Sequence, residues 1–319
     1  MEHIRRSGCQ FLARVVSLFF VFLLMLLTLT ILFAEYNIIL PINALDDAMD
    51  RSGYATEAER AVTVSRIRDL DIRTGDEIEN LYHAITGTTE TMVQTVQSME
   101  RQSEIISRLQ DGLILVLADM VESRDKCTGD HVKKTAAYAD IILQELKREN
   151  IYADQLTDTF VSDVVHSAPL HDIGKIQVSD LILNKPGKLS ADEFEAMKAH
   201  TTAGADMIRH AMDMVSGSDS GYLREAMNLA NFHHEKWDGT GYPRGLKGEE
   251  IPLSARIMAV ADVFDALVSR RSYKEPFPFE KAVRIIQEEA GTRFDPAIVG
   301  AFCRAGAEVR RIMNSTPGS

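Results

Sequence analysis

The stretch His171-Asp172-Ile173-Gly174-Lys175 sets an imidazole beside a carboxylate, then a glycine, then an ammonium. Adjacent His and Asp can bring a nitrogen ligand and a bridging carboxylate to one metal cluster. Gly174 permits close backbone approach, and Lys175 can neutralise a phosphate. Alone, the same five residues also describe a helix end with a glycine stop and a solvated lysine. The rest of the chain decides between the two.

With 319 residues, the chain is long enough for one sizeable globular domain plus further segments. Its formal net charge of −12 excludes a non-specific nucleic-acid binder, since no basic face is built. A few converging Lys and Arg can still hold a phosphate ligand. The three cysteines, Cys9, Cys127 and Cys303, form no pairing or CxxC spacing. They imply neither a disulfide framework nor a thiolate zinc site, which suits a reducing compartment. Seven of the nine histidines lie between His131 and His234.

From about Ala118 onward the apolar spacing is helical, over 132–147, 158–170, 191–214, 221–234, 252–269 and 278–289. No stretch alternates as a strand would, so the domain is expected to be all-α. His131, His171, Asp172, His200, His233, His234 and Asp262 sit on these helices or at their ends. A helical core has little reason to collect five imidazoles without metal. Neutral imidazole and carboxylate oxygen suit iron, manganese, zinc or nickel. Asp172 and Asp262 can bring two ions together, as two-metal phosphoesterases require. His166 and His210 read as ordinary core or surface residues, with His166 also able to support a ligand.

Towards the N-terminus, residues 15–34 form a run of 20 uncharged, mostly apolar residues, preceded by Arg5, Arg6 and Arg14. At 1.5 Å per residue this matches a bilayer core of roughly 30 Å. The run is long for a signal-peptide core and lacks a small-x-small exit, so a retained anchor is expected. The arginines would keep the N-terminus inside, whereas the downstream chemistry wants the C-terminal part in the cytoplasm. A preceding segment outside this sequence, or translocation of the short tail despite its charge, would reconcile them. Pro41 then fits a helix start or kink, Ile42, Leu45 and Met49 share one face, residues 51–73 read as a loose connector, and Asp76-Glu77-Ile78 opens a second helix.

In that second helix Ile78, Ile85, Met92, Met99, Ile106, Leu113 and Met120 recur every seven residues, with Leu81, Thr88, Thr95, Gln102, Leu109 and Val116 as companions. A sustained seven-residue period predicts a left-handed parallel coiled coil, hence a homodimer. The alternative is a long amphipathic helix packed on its own domain. A dimeric rod could carry a rotation or register change from membrane to catalytic domain.

Two families are resembled. The order of anchor, Pro-started helix, connector and Asp-Glu-started helix is similar to a HAMP signal-transmission domain over about residues 35–97, with a connector long for that family. The opening pentapeptide followed by His233-His234-Glu235-Lys236-Trp237-Asp238-Gly239-Thr240-Gly241-Tyr242-Pro243 resembles the HD-GYP domain, a branch of the HD phosphohydrolases, over about residues 118–305. Arg124-Asp125-Lys126-Cys127-Thr128-Gly129-Asp130-His131, Met197-Lys198-Ala199-His200, Ala261-Asp262-Val263-Phe264-Asp265-Ala266-Leu267 and Arg270-Arg271-Ser272-Tyr273-Lys274 agree with that family.

The expected organisation is an N-terminal tail and transmembrane helix (1–34), a HAMP-like domain (35–97), a coiled-coil linker helix (98–117), a catalytic domain (118–305) and a disordered tail (306–319). The HD-GYP resemblance implies hydrolysis of cyclic di-GMP to pGpG or GMP. It implies that His131, His171, Asp172, His200, His233, His234 and Asp262 hold two divalent ions, iron or manganese before zinc or nickel, with Asp172 bridging. Lys175, Arg271 and Lys274 would contact phosphates, and Tyr242 would belong to the loop that names the family. Some members hold a third ion through a Glu four residues before the first His; Cys127 stands there, which favours two. The stretch around residues 148–157 is longer than usual and reads as a surface loop.

The two ions would activate a water for in-line attack on phosphorus, while Lys175 neutralises charge developing on the phosphoryl oxygens. Asp265, three residues after Asp262, is placed to orient Lys175 or a ligand water. Tyr242 and Trp237 offer aromatic faces for a guanine or a partner, and Trp237 equally suits plain core packing. Such a chain would sit in the bacterial inner membrane as a single-pass protein with its catalytic domain in the cytoplasm. The competing readings are a phosphohydrolase for another cyclic dinucleotide and a catalytically weak receptor or scaffold.

Overall fold

Helical apolar spacing is realised throughout the computed structural model, which describes residues 2–50, 53–125, 131–214, 221–269 and 275–315. No strand occurs among the described residues, where the only β-type pairing recorded is the isolated bridge between Ala290 and Phe294. The chain divides into two units, Met1–Ser107 and Arg108–Ser319.

In the first unit, α1 (Glu2–Ala34) continues through a π-helical turn at Glu35–Ile39 into α2 (Leu40–Asp50). Pro41 has no N–H to give and its ring crowds the carbonyl four residues back, so the turn before it widens instead of breaking. Phe11–Asp50 is long and apolar enough to cross a membrane by length and composition, and the apolar side chains from Phe11 to Phe33 are exposed. The expected loose connector contains a helix, α3 (Glu57–Arg68). Thr56 accepts from the Glu59 amide while the Glu59 carboxylate accepts from the Thr56 amide, a reciprocal cap that starts a helix in a polar stretch. α3 packs with α2 and the first turns of α4 (Glu77–Glu122) around Leu45, Ala48, Ile67, Ile72 and Tyr82. The Tyr82 hydroxyl donates to the Arg68 carbonyl at 2.9 Å, which caps the end of α3. The expected boundaries at residues 97 and 117 fall inside α4, which runs unbroken.

The second unit is organised by two helices, α5 (His131–Arg148) and α10 (Leu253–Val268). On α5, Tyr138, Ile142, Leu143 and Leu146 share one buried face. On α10 every residue from Leu253 to Ala261 is buried, so this helix is core on all sides. The rings of Tyr138 and Phe264 meet edge to face at 5.1 Å, a contact worth roughly 1 kcal/mol beyond its burial. Around this pair stand α6 (Asp158–Ser167), α9 (Gly221–Phe232), α11 (Phe279–Glu288), α12 (Pro296–Arg304) and α13 (Gly306–Asn314), while α8 (Ala191–Met214) packs on α9 and α7 (Asp180–Leu183) on α8.

Two expectations are corrected here. The stretch after α5 is not merely surface loop: Leu156 enters the core, and the Tyr152 hydroxyl donates to Asp295 at 2.8 Å beside the buried Arg256–Asp295 pair. The tail is not disordered from residue 306, because Val309, Ile312 and Met313 form one apolar stripe at helical spacing and fold α13 onto the core. Residues 316–319 lie outside the described residues. If α13 is integral, Val309→Ala will lower unfolding free energy by about 2 kcal/mol in denaturant titration. The exposed Arg311→Ala will stay within about 0.5 kcal/mol. A null effect of both would return this segment to a tail.

Candidate metal centre

Five stretches of chain deliver the candidate ligands. His131 is the first residue of α5. After α6 the chain tightens into a 3-10 turn at Ala168–Leu170, where Pro169 cannot donate an α-helical hydrogen bond, and then presents His171 and Asp172. A second 3-10 turn, Ile173–Gln177, follows at once. His200 comes from the middle of α8, His233 and His234 from the end of α9, and Asp262 from α10. Gly174 makes the assembly sterically feasible. A Cβ on it would lie 1.9 Å from the His200 carbonyl oxygen and 2.5 Å from the Gly204 amide nitrogen.

Four imidazoles are oriented in one way. The Nδ1–H of His171 donates to Ala168 O at 2.9 Å, that of His200 to Met197 O at 2.7 Å, and that of His233 to Leu229 O at 2.8 Å. His131 Nδ1 is 2.7 Å from the buried Asp265 carboxylate, which also accepts from Ser269 Oγ at 3.0 Å. A carbonyl can only accept, so in His171, His200 and His233 Nδ1 carries a proton and Nε2 is the atom turned to the interior. The His171, His200 and His233 Nε2 atoms and Asp172 Oδ1 are buried and make no hydrogen bond. Orphaned buried polar atoms are rare and need a reason.

These atoms face one another. Asp172 Oδ1 lies 3.3 Å from His200 Nε2 and 3.6 Å from His233 Nε2. Its Oδ2 lies 3.3 Å from His171 Nε2 and 2.8 Å from Lys175 Nζ. Asp172 therefore turns one oxygen to each half of the cluster. Asp172, His200, His233 and His234 offer ligand atoms within 4.8 Å of one another, as do His131, His171 and Asp262. The donor set is imidazole and carboxylate without thiolate, a set that suits divalent metal ions.

The electrostatics of the two halves differ. At His234, burial outweighs the attraction of Asp262 and lowers the imidazole to about 4. His233 is also pushed well below its ordinary value by burial and by His234. At His131 burial opposes charge, but the hydrogen bond with Asp265 and the charges of Asp262, Asp265 and Glu122 lift it to about 9. Burial likewise works against ionised Asp172, yet Lys175, His171 and His200 hold it well below the usual carboxylate range. Asp262 is lowered despite burial by His131 and His171.

Some surroundings were not legible in advance. Arg124, just after α4, donates to the carbonyls of Lys175 (3.1 Å), Ile176 (2.9 Å) and Val178 (3.0 Å) and pairs with Asp180 at 2.7 Å, gripping the turn that carries Lys175. Asp265 supports His131, a role the sequence reading did not assign it. Buried Glu235 accepts from the Arg244 amide at 2.7 Å and the Leu246 amide at 3.1 Å, shaping the loop of Tyr242. A Cβ on Gly241 would lie 2.3 Å from Lys236 N, so this loop too demands glycine. The Tyr242–Pro243 peptide is cis. The Tyr242 ring lies 4.9 Å from His234 and 6.1 Å from Phe194. Beside it opens a cavity of about 390 Å³ lined by Phe194, Lys198, His233, His234, Lys236 and Tyr242, among others. Trp237 packs under the Arg256 guanidinium at 5.7 Å rather than lining that cavity. His166 is half-exposed, 3.8 Å from Asp111, and His210 is exposed. Arg271, Lys274 and Cys127 lie outside the described residues.

Residues 115–298, more than half of the chain, match the HD domain family, and the chain belongs to it. A Vibrio cholerae protein named "Probable cyclic di-GMP phosphodiesterase" is 46% identical over 202 residues, 63% of this chain and 46% of that protein. A Thermotoga maritima "Cyclic di-GMP phosphodiesterase" is 43% identical over 194 residues, 61% of this chain and 49% of that one. A Vibrio cholerae "3'3'-cGAMP-specific phosphodiesterase 2" is 36% identical over 205 residues, 64% and 36% respectively. The chain thus spans about half the length, or less, of these relatives.

A cation at the His131 half must displace the Nε2 proton that the lift to about 9 retains at neutral pH. Asp172 and Asp262, held low, offer no such competition there. Metal affinity will therefore rise with pH up to about 9, by up to ~10-fold per unit for each proton displaced. Calorimetry of metal binding at pH 7 in two buffers of different ionisation enthalpy will read about one or more protons released. Binding without proton release would contradict this account of His131.

Proposed function

We propose that this chain is a membrane-anchored, two-metal cyclic di-GMP phosphodiesterase that yields pGpG or GMP. The observation that carries the reading is the convergence of buried, unpaired His171, His200 and His233 Nε2 atoms on the two oxygens of Asp172. In this reading His131, His171, Asp172 and Asp262 hold one divalent ion, and Asp172, His200, His233 and His234 the other. Iron or manganese comes before zinc or nickel on donor type. The ions would supply Lewis acidity and an activated water.

The chain's own groups do the rest. Lys175 keeps Asp172 ionised and stands ready to neutralise charge on the scissile phosphate. Asp265 holds His131 in the ligating tautomer. Tyr242 walls the cavity beside His234 and, kept a neutral phenol mainly by burial, offers an O–H to substrate. Arg271 and Lys274 complete the phosphate contacts in this proposal.

The anchor is assigned to the apolar part of α1, whose exposed side chains lipid would cover, with a HAMP-like unit next and the catalytic unit in the cytoplasm of a bacterium. Met92, Met99, Ile106, Leu113 and Met120 are exposed along α4, and a second copy covering them would make a parallel coiled coil able to relay a rotation or register change. A hybrid cyclic dinucleotide is the second reading, favoured by the relative named for 3'3'-cGAMP.

The full chain, in detergent and metal-loaded under reducing conditions, is to be incubated with each dinucleotide and its products followed over time. Cyclic di-GMP is expected to be the faster substrate. Preference for cGAMP would install the second reading, and ligand binding without hydrolysis would install a receptor. His171→Ala with Asp172→Ala is expected to cut turnover more than ~100-fold, beyond what losing a ligand's outer support costs. Lys175→Ala should lower kcat by about 10²–10³-fold, as loss of a charge-stabilising donor does. In sedimentation in detergent the chain is expected to run as a dimer; a monomer would remove the coiled coil.

A further inference from the structure

We propose that Glu122, at the last turn of α4, is a further carboxylate ligand of the metal centre, acting on the ion of the His131 half. The proposal rests on the reading of the cluster as a two-metal site. Glu122 is 3% exposed, although it closes a helix whose neighbouring turns are largely solvent-facing. One of its carboxylate oxygens, one nitrogen of His131 and one oxygen of Asp172 all lie within 4.8 Å of one another. Donors bound at roughly 2.1 Å to one ion stand roughly 3 to 4 Å apart, so a small closure brings all three onto a single cation.

The charge balance points the same way. Burying a carboxylate costs several kcal/mol, on the order of the penalties measured for unpaired charges, unless a positive partner is near. The group beside Glu122 is the His131 ring, itself a candidate ligand, and a cation shared by the two would offset the buried carboxylate's charge. With Glu122 the His131 half gathers three carboxylates (Asp172, Asp262 and Glu122) beside His131 and His171, whereas the other half has three imidazoles with Asp172 alone. The two ion positions then differ in kind. The oxygen-rich one favours hard divalent ions such as Mn²⁺, and the imidazole-rich one tolerates softer ions.

Mn²⁺ binding to the full-length protein in detergent, followed by calorimetry and by the electron-spin signal of free Mn²⁺, tests this without any substrate. The wild type should bind two ions in two resolvable steps. Glu122→Gln should weaken one step at least tenfold, the same step that Asp262→Asn weakens, and leave intact the step that His200→Ala removes. Two unchanged steps in Glu122→Gln would overturn the proposal, as would equal weakening of both, which marks a merely structural carboxylate. If Glu122→Gln loses its near-ultraviolet circular dichroism, Glu122→Asp decides, since it keeps the charge but shortens the reach. Selective weakening of the Asp262-dependent step supports ligation, and wild-type titration overturns it. Failure to hydrolyse a cyclic dinucleotide would sink the proposed function while leaving this metal-binding pattern readable.

Discussion

Each of His171, His200 and His233 spends its Nδ1–H on a carbonyl three or four residues earlier in its own chain segment. That local bond decides the rest of the second unit. It fixes the tautomer, fixes the ring plane and leaves Nε2 lone pairs pointing into a buried space that nothing else satisfies. A single imidazole so placed would be an uncompensated cost of roughly 1–3 kcal/mol. Three of them around one aspartate make sense together as a candidate ligand set, which needs rigid helices to hold its geometry. The all-round burial of α10 and its edge-to-face packing on α5 supply that rigidity.

The division of charge across the cluster follows from the same packing. His233 and His234 have only weakly compensating neighbours and become neutral through burial. His131 meets Asp265 on one nitrogen and Asp262 3.6 Å from the other, and so stays protonated. Asp172 lies between the halves, with Lys175 as the one lysine within reach of its carboxylate among the pairs described. The two halves of the cluster thus differ in charge, the His233–His234 side leaning to neutral imidazoles and the His131 side to a protonated one. Lys175 matters before any substrate arrives, because it reduces the cost of keeping Asp172 ionised in a buried place.

How much of this could be read from the chain depends on the range of the interaction. Helix identity came from periodicity, so the all-α fold and the 191–214 helix were legible to the residue. Where periodicity was short or overlaid with polar residues it was missed: α3 starts from a four-residue cap, and the apolar stripe of α13 has only three residues, Val309, Ile312 and Met313. The seven candidate ligands were legible because residue type and spacing carry their chemistry, and the structure brings them together in two clusters that Asp172 faces. Asp265, Arg124 and Glu235 were not. An aspartate on a helix face reads the same whether it orients a lysine or an imidazole, and the bond to His131 spans 134 positions. Arg124 acts on backbone carbonyls, which carry no sequence signal at all.

Arg124 and Glu122 bracket the place where the chain leaves α4, and each acts on a different layer of the centre. Arg124 fastens the Lys175 turn through three carbonyls and Asp180, while Asn184 returns a hydrogen bond to the Arg124 carbonyl at 2.8 Å. Glu122 reaches the ligands themselves. A carboxylate has little slack: at ligand distances near roughly 2.1 Å, a shift of about 1 Å separates a bond from none. With Glu122 as a ligand, a movement of the last turn of α4 within this unit would act first on the His131 half, since the candidate ligands of the imidazole-rich half come from α8 and the end of α9. The centre is built unequally, and the inequality lies on the side where α4 ends.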